Sequence, residues 1–161
     1  MTEMRILTVR QPWAWAIIHG GKDVENRVRN IAGDYRGPVA IHAGLQYDEN
    51  WNSDALANVM NKHPGVWDEP QPWRAQIGAS TGAIIGVVDL VGVHYSGING
   101  CGTGDGDGPI PMCSAWCEPI AHHLVLANPR PLAEPIPYRG ALGLRRLDEE
   151  TIARITAQDG A

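Results

Sequence analysis

The sequence predicts an α+β domain that is mostly β, folded as a β-barrel or curled sheet with short flanking helices. Three observations support this class: several strand-like segments, two short helical segments, and no regular alternation of strand and helix as in βαβ units. A barrel would also remove exposed strand edges. The chain has 161 residues, 43% of them apolar and 19% charged. This size and composition are typical of one globular domain, so we expect residues 1–161 to fold as a single unit.

Segments rich in β-branched residues or bounded by turn residues predict the strands. These strands are expected over Met4–Arg10, Asp23–Arg29, Gly37–His42, Ala83–His94, His122–Leu126 and Ala141–Arg146. Apolar residues spaced for one face predict two helices, and a third segment is expected to form only a frayed turn. These three segments are Gln11–His19, Asp48–Lys62 and Thr151–Thr156. The stretches Gly65–Gly82 and Tyr95–Cys113 are rich in Gly, Pro or Asp and predict loops.

The charge is uneven along the chain. Residues 1–40 hold six basic and four acidic side chains, a balance of +2, whereas residues 41–161 hold seven and fourteen, a balance of −7. Proteins that coat nucleic acid non-specifically carry a strong basic excess, because they neutralise many phosphates at once. The sequence therefore favours a local site for one or a few nucleotides over a long electrostatic track.

The N-terminal segment lacks the apolar run of a signal peptide, and no stretch approaches the roughly 18–20 apolar residues that span a bilayer. We therefore expect a soluble, cytoplasmic protein with no membrane partner. The chain has three cysteines. An odd number in an acidic chain of this kind does not indicate a disulfide framework.

The segment Gly20–Arg27, with the sequence GGKDVENR, is the most informative for function. Gly20 and Gly21 allow the chain to leave a helix sharply, since glycine adopts left-handed conformations without strain. If the following residues are extended, Glu25 and Arg27 lie on the same side of a strand. An amine, a carboxylate and a guanidinium would then meet at one cleft, although the same residues could also form a surface ion cluster without a ligand.

The pattern G-x-K-x-x-E-x-R, formed by Gly20, Lys22, Glu25 and Arg27, resembles the signature of the ASCH domain family. Further matching segments are LTVRQPWAWAIIHGGKDVENR, YRGPVAIHAG, CSAWCEPIAHHLVLANPRPLAEPIP and RGALGL, so the resemblance covers residues 4–147 and leaves 148–161 as a C-terminal tail. The bacterial and phage branch of the family is the most similar.

This resemblance implies a PUA-like β-barrel whose signature residues line a cleft for RNA or nucleotides. Family members include an amidohydrolase that acts on acetylcytidine, a member with ribonuclease activity, and domains attached to a transcription coactivator. Glu25 stands where the amidohydrolase has the threonine thought to be its nucleophile, so Glu25 cannot act in the same way. Kinship of fold alone does not decide which activity applies.

Four further residues are candidates for the same cleft. Gln11 precedes Pro12 at the end of the first strand and is expected beside Lys22. Trp13 could stack on a base, but an apolar helix position more often anchors the core. His42 ends an apolar strand, where a satisfied buried polar group is the commoner role. Trp116 is a possible stacking wall.

The cysteines and histidines are zinc ligands by residue type, but their spacing does not predict a zinc site. The candidates are Cys101, Cys113 and Cys117 with His94, His122 and His123. Their spacing is not that of a zinc ribbon and no CxxC pair is present, so we expect ordinary thiols and neither a metal nor another cofactor. The run GTGDGDG lacks the terminal Glu of a calcium loop and predicts a solvated loop, which could close over the cleft as a lid.

The leading hypothesis is a protein that binds a nucleotide or a short single-stranded RNA. Lys22 and Arg27 would hold anionic or carbonyl groups, and Glu25 and Asn26 would recognise polar base edges. The second hypothesis is a hydrolase of a modified nucleoside, or a ribonuclease, in which Lys22 and Glu25 transfer protons. The third is a protein-interaction module whose ion cluster is only structural.

Overall fold

The computed structural model describes residues 3–49, 52–61, 80–101 and 112–159. In these ranges the chain forms six strands and three helices. The strands are β1 (Arg5–Gln11), β2 (Val24–Arg27), β3 (Gly37–Tyr47), β4 (Ala83–Ser96), β5 (Ala121–Pro137) and β6 (Leu144–Arg146). The helices are α1 (Trp13–His19), α2 (Asp54–Asn61) and α3 (Glu149–Asp159). No helix among the described residues is long and apolar enough to cross a membrane.

All six strands belong to one mixed sheet, in the order β2-β5-β4-β3-β1-β6. Most neighbours are antiparallel, but β1 and β3 run parallel, with Leu7 opposite Ile41. The predicted mostly-β class with short flanking helices is therefore confirmed. In the described ranges β2 and β6 form the two ends of the sheet, and closure into a barrel is not confirmed.

The core lies on both faces of this sheet. The larger apolar cluster joins α1 to the sheet and includes four side chains that are at most 1% exposed, Leu7, Ile17, Ile41 and Leu124. The smaller cluster lies on the other face, between the sheet and α3, where Ile155 is completely buried. Each buried side chain of this size stabilises the fold by roughly 1.5–3 kcal/mol relative to its exposed state, so the two clusters fix the positions of α1 and α3.

The predicted bounds differ most from the observed ones at β5. The sequence predicted a strand ending at Leu126, but β5 extends to Pro137. Proline cannot donate a ladder hydrogen bond, and this argues against a central strand. Only the first part of β5 is central, because β2 pairs with residues 122–125. The proline-containing part pairs with β4, and register shifts interrupt that ladder at three places. An edge with bulges tolerates the missing donors.

Other boundaries differ less. β3 continues to Tyr47, five residues beyond the predicted end, and β4 continues to Ser96. Within the described residues α2 begins at Asp54, where the Ser53 hydroxyl accepts a hydrogen bond from the Leu56 backbone. Most of the predicted loop 65–82, and residues 102–111 of the predicted loop 95–113, lie outside the described ranges.

The C-terminal segment was predicted to form a frayed turn, and this was wrong. α3 has three turns, because Asp148 caps its first turn and Ile155 anchors it in the core. The Asp148 carboxylate accepts hydrogen bonds from the Thr151 backbone at 2.8 Å, from the Thr151 hydroxyl at 2.9 Å and from the Tyr138 hydroxyl at 2.7 Å. This capping satisfies a backbone donor that a helix start otherwise leaves unpaired.

Asp148→Ala should lower the free energy of unfolding by about 1 kcal/mol at neutral pH, the usual effect of losing a helix cap. The Tyr138 hydroxyl, with help from the Thr151 backbone, holds the pKa of Asp148 below its ordinary value of 3.8. A carboxylate with a depressed folded-state pKa stabilises the fold fully above its unfolded-state pKa, and this contribution disappears as the pH falls through the folded-state pKa. Urea unfolding from neutral to acidic pH checks this.

Asp148→Asn is the matched control, since it keeps a capping oxygen but cannot titrate. It should retain most of the stability at neutral pH and lose less stability in acid than the wild type. An Asp148→Ala variant as stable as the wild type at neutral pH would contradict the assignment of Asp148 as the cap.

Candidate functional site

The end of α1 places Lys22. The Ala16 carbonyl accepts hydrogen bonds from the backbone of Gly20 at 2.9 Å and of Lys22 at 3.0 Å, which closes the helix. Gly21 between them has a φ of 75°, the left-handed conformation that the sequence predicted at this helix stop. Because this turn is closed by the backbone, the Lys22 side chain starts from a fixed point directly before β2.

Lys22, Glu25 and Arg27 form one ion network, as the sequence predicted. The Lys22 ammonium lies 3.3 Å from Glu25 Oε2 and also donates to the Val24 carbonyl. Arg27 Nε lies 3.3 Å from Glu25 Oε1, an ion pair without the alignment of a hydrogen bond. Lys22 is only 4% exposed and Glu25 8%. A pair this buried is not an ordinary surface ion pair, because both charges have lost most of their water.

A cavity of about 360 Å³ opens beside this network. Its lining includes Lys22 and Glu25, together with Trp13 from the start of α1. The start of α2 and the segment 115–118 form the remaining walls among the described residues. The volume falls in the range of about 300–1,000 Å³ that small-molecule sites occupy. A larger recess of about 900 Å³ lies beside α3 and contains none of the predicted site residues in its lining.

The described lining of the cavity carries more acidic than basic side chains. Among the described lining residues, Glu25, Asp54 and Glu118 are acids and Lys22 is the one base. The charge of Lys22 is already balanced by Glu25, 3.3 Å away. The cavity therefore offers hydrogen-bonding groups to a neutral polar molecule more readily than it offers positive charge to a phosphate.

Two tryptophans line the cavity. Trp13 is half-buried, donates from Nε1 to the Asp48 carboxylate at 2.9 Å, and lies 5.8 Å from the Lys22 ammonium, measured to its ring centre. It also packs against the larger apolar cluster and against a third, small cluster formed by Ala16 and Leu56, so it combines the core role and the cleft role that the sequence left open. Trp116 lines the cavity from the segment that precedes β5, as expected for a stacking wall.

Asn26 lines the cavity but is already occupied. Its amide nitrogen donates to the Trp116 carbonyl at 3.0 Å, and its amide oxygen accepts from the Glu118 backbone at 2.9 Å. Both polar ends of the amide therefore hold the segment 116–118 against β2. A second link comes from Asp23, which accepts a hydrogen bond from the Ser114 hydroxyl. Asn26 thus fixes a wall of the cavity, and one of its two amide N–H donors is used in doing so, which leaves one for the predicted contact with a base edge.

Arg27 and Gln11 were expected in the cleft, but the structure does not include them in the cavity lining. Arg27 turns toward β1 and donates to the Thr8 carbonyl at 3.0 Å, on the far side of Glu25. Gln11 is completely buried and accepts from the Trp15 backbone at 2.9 Å, so it stabilises the first turn of α1. Its amide nitrogen has no partner among the described residues. Arg27 therefore contacts the site only through Glu25, and Gln11 acts through the start of α1.

His42 is a satisfied buried group. One ring nitrogen lies 2.8 Å from the Tyr138 carbonyl, to which it must donate, and the other lies 3.2 Å from the Thr8 hydroxyl. The Thr8 oxygen accepts from the Ala141 backbone at 3.1 Å, so its proton points to His42. These bonds engage both ring nitrogens. His42 is absent from the described lining of the cavity, in agreement with the commoner role that the sequence indicated.

A second cluster of chemically active side chains lies beside the segment 112–118. One nitrogen of His94, one nitrogen of His123 and the sulfurs of Cys101 and Cys113 all lie within 4.8 Å of one another. Burial and the neighbouring His123 lower the pKa of His94, so its ring is neutral at neutral pH, the form in which imidazole binds metals. The sequence included these four residues among six candidate zinc ligands, but their spacing argued against a site. The pairing of β4 with β5 brings the four together.

Ser53 and Asp54 of the far wall were missed in the sequence analysis. Ser53 and Asp54 belong to a helix start some thirty residues beyond the motif, and no local pattern links them to it. The only usable signal was the capping serine itself, which predicts a helix start but not its neighbour in space.

The family model of the ASCH domain matches residues 7–130, well over half of the chain. The chain belongs to the ASCH domain family. Members of this family are generally thought to bind RNA. In this ASCH protein the matched range includes the whole Gly20–Arg27 motif, Trp116 and Glu118. No curated protein matches the chain.

Two solved structures share the fold of this ASCH protein. The crystal structure of ASCH from Zymomonas mobilis aligns with a TM-score of 0.53 at 16% sequence identity, over 96% of this chain and 94% of that one. A single-residue variant of the Zymomonas mobilis protein aligns with a TM-score of 0.54 at 15% identity, over 97% of this chain and 98% of that one. At this level of identity the likeness concerns the fold alone, which here extends over nearly the full length of both chains.

Proposed function

We propose that this ASCH protein binds a nucleotide or a short single-stranded RNA by taking one base into the cavity beside Lys22 and Glu25. The observation that carries the proposal is the cavity itself, which combines a buried ion pair, two tryptophans and a volume that suits one small ring system. Single-stranded RNA is usually recognised through unstacked bases that stack on aromatic side chains and hydrogen-bond along their edges.

The charge of the lining supports recognition of a base rather than of phosphate. The described lining holds three acidic side chains and one basic side chain, and the whole chain carries a net charge of −5. Phosphate contacts by several cations make binding strongly salt-dependent, because each contact releases counterions. This site should therefore bind with a shallow dependence on salt. Glu25 and Glu118 can accept hydrogen bonds from exocyclic amines, which adenine, guanine and cytosine carry.

Trp116→Ala should weaken binding of a short single-stranded RNA by about 5-fold to 150-fold, since stacking on one aromatic side chain contributes about 1–3 kcal/mol per base. Trp116 is the suitable tryptophan to remove, because Trp13 packs against the larger core cluster and its loss would disturb α1, whereas Trp116 packs against the small cluster of Ala16 and Leu56. The measurement is a fluorescence titration with labelled RNAs of each base composition, alongside the four nucleoside monophosphates.

Trp116→Phe should keep most of the affinity, since it preserves an aromatic face. Trp15→Ala removes a tryptophan of the same apolar cluster that is not in the described lining of the cavity, and it should bind like the wild type. If Trp116→Ala binds as tightly as the wild type, the base does not occupy this cavity. If the wild type binds none of the probes, a protein-interaction role replaces this proposal.

A hydrolase in the same cavity is the second candidate, favoured by the 3.3 Å contact between the Lys22 ammonium and the Glu25 carboxylate at the cavity wall. A buried amine–acid pair in contact can move a proton to or from a bound substrate. The titrated RNAs and a panel of acylated nucleosides should then be analysed for products. Turnover that disappears in Lys22→Met, while the fold survives, would establish the hydrolase; binding without products supports the binding function.

A further inference from the structure

We propose that His94, Cys101, Cys113 and His123 bind one Zn²⁺ ion that anchors a wall of the cavity. The four residues come from separate parts of the chain. His94 in β4 and His123 in β5 lie opposite each other in the ladder between these strands, Cys101 follows β4, and Cys113 precedes β5. Their ligand atoms lie within 4.8 Å of one another.

The three distances from His123 Nδ1 to the other ligand atoms match the edges of a zinc tetrahedron. Zn–N bonds of about 2.0–2.1 Å and Zn–S bonds of about 2.3 Å imply edges of roughly 3.3 Å between two nitrogens and roughly 3.5 Å between nitrogen and sulfur. The observed separation of His123 Nδ1 from His94 Nε2 is 3.2 Å. From the same Nδ1 to the sulfurs of Cys101 and Cys113 the separations are 3.4 and 3.5 Å.

The surrounding hydrogen bonds orient the ligands as a metal requires. The opposite ring nitrogen of His123 lies 2.6 Å from the Glu118 carbonyl, to which it must donate. His123 Nδ1 then carries a lone pair directed at the cluster, which is the arrangement that backbone carbonyls impose on metal-binding histidines. The Cys113 backbone donates to the Cys101 sulfur at 3.3 Å, which ties the two cysteine-bearing segments together. His123 itself is completely buried, so its orientation is fixed by packing.

Two thiolates and two imidazoles in a tetrahedron select zinc among the common divalent cations, because magnesium and calcium prefer six or more oxygen ligands. Four protein ligands also leave no open position, which is the mark of a structural rather than a catalytic site. The ion would hold Cys113 against β4 and β5. The segment that follows Cys113 carries Trp116 and Glu118, so zinc would stabilise the wall that Asn26 already fastens from β2.

The test is the metal content of the full-length, tag-free protein, purified after growth in zinc-containing medium and dialysed without chelator. Elemental analysis should give about one zinc per chain for the wild type. Cys113→Ser should lose most of it; Cys113 is exposed, so its replacement leaves the core intact. His122→Gln is the matched control, because its ring packs 5.2 Å from the Tyr95 ring and is outside the four-ligand group, and it should keep one zinc per chain.

Cobalt substitution supplies a readout that survives poor folding of the variants. Co²⁺ added to metal-free wild type should give the intense visible bands of a tetrahedral site and a thiolate-to-cobalt charge-transfer band, and added Zn²⁺ should abolish both. Wild-type protein that holds no zinc and shows no such bands would mean that the four groups only hydrogen-bond to one another, and the proposal fails. Zinc that stays equally bound in Cys113→Ser would also overturn it. Neither measurement involves RNA, so the result is independent of the proposed nucleotide site.

Discussion

Replacing Glu25 by alanine is expected to lower the free energy of unfolding by about 3–5 kcal/mol, the usual cost of removing one partner from a buried ion pair. Glu25 neutralises the ammonium of Lys22, which is only 4% exposed. After the substitution the ammonium would keep its bond to the Val24 carbonyl and its contact with the Trp13 ring, 5.8 Å away, but no carboxylate partner among the contacts described. A buried charge without an opposite charge is costly, so the fold should become markedly less stable.

The converse substitution should be milder, because the network is asymmetric. In Lys22→Met the Glu25 carboxylate still has Arg27, 3.3 Å away and partly exposed to solvent. The double variant Lys22→Met/Glu25→Leu removes both buried charges and should recover much of the stability lost in Glu25→Ala, since apolar replacements of buried pairs are often neutral or stabilising. Urea denaturation of the three variants measures this order. Equal stability of Glu25→Ala and Lys22→Met would contradict the asymmetry.

Gly86→Ala is expected to lower the free energy of unfolding by about 2–3 kcal/mol, the range for an overpacked core. Gly86 lies in β4, directly under α1. A methyl group there would lie 2.6 Å from Ile18 Cδ1 and 2.7 Å from the Arg130 carbonyl oxygen. The isoleucine could rotate away, but the carbonyl belongs to the paired strand β5 and can move only by distorting the sheet. The absence of a side chain at Gly86 therefore lets α1 approach the sheet.

Gly92 in the same strand is the matched control. A methyl group there would first meet Val125 Cβ at 3.8 Å, an ordinary contact distance. Gly92→Ala should therefore change stability by no more than about 0.5 kcal/mol, as most substitutions away from critical contacts do. Thermal and urea unfolding of the two variants compare the positions directly. If both variants lose the same stability, the close packing of α1 on Gly86 is not the reason that β4 requires glycine there.

Local sequence determined the elements whose signals lie within a few residues. The glycine pair after His19 ended α1, and Gly21 adopts the left-handed conformation that only glycine adopts freely. The extended segment after it placed Glu25 and Arg27 on one side of β2, so the ion network of Lys22, Glu25 and Arg27 followed from spacing alone. These features depend on backbone geometry that neighbouring residues fix.

Tertiary contacts decided the features that local rules misjudge. The sequence predicted a strand ending at Leu126, yet pairing with β4 carries β5 to Pro137. It predicted only a frayed turn over Thr151–Thr156, yet burial of Ile155 makes α3 a full helix. In both places packing and pairing outweigh the local preference, because the energy of a long ladder or a buried side chain exceeds a propensity difference below 1 kcal/mol per residue.

The two candidate sites also differ in how much of each the local sequence determined. The sequence placed Lys22 and Glu25 at the cleft, because they are close together in the chain. Only the folded chain showed that Arg27 and His42 turn to other partners and that Asn26 is bonded to residues ninety positions away. The cluster of His94, Cys101, Cys113 and His123 depends on strand register between β4 and β5, which no short spacing encodes. Chemistry within a turn is determined locally, whereas chemistry between strands is determined by which residues the sheet sets opposite each other.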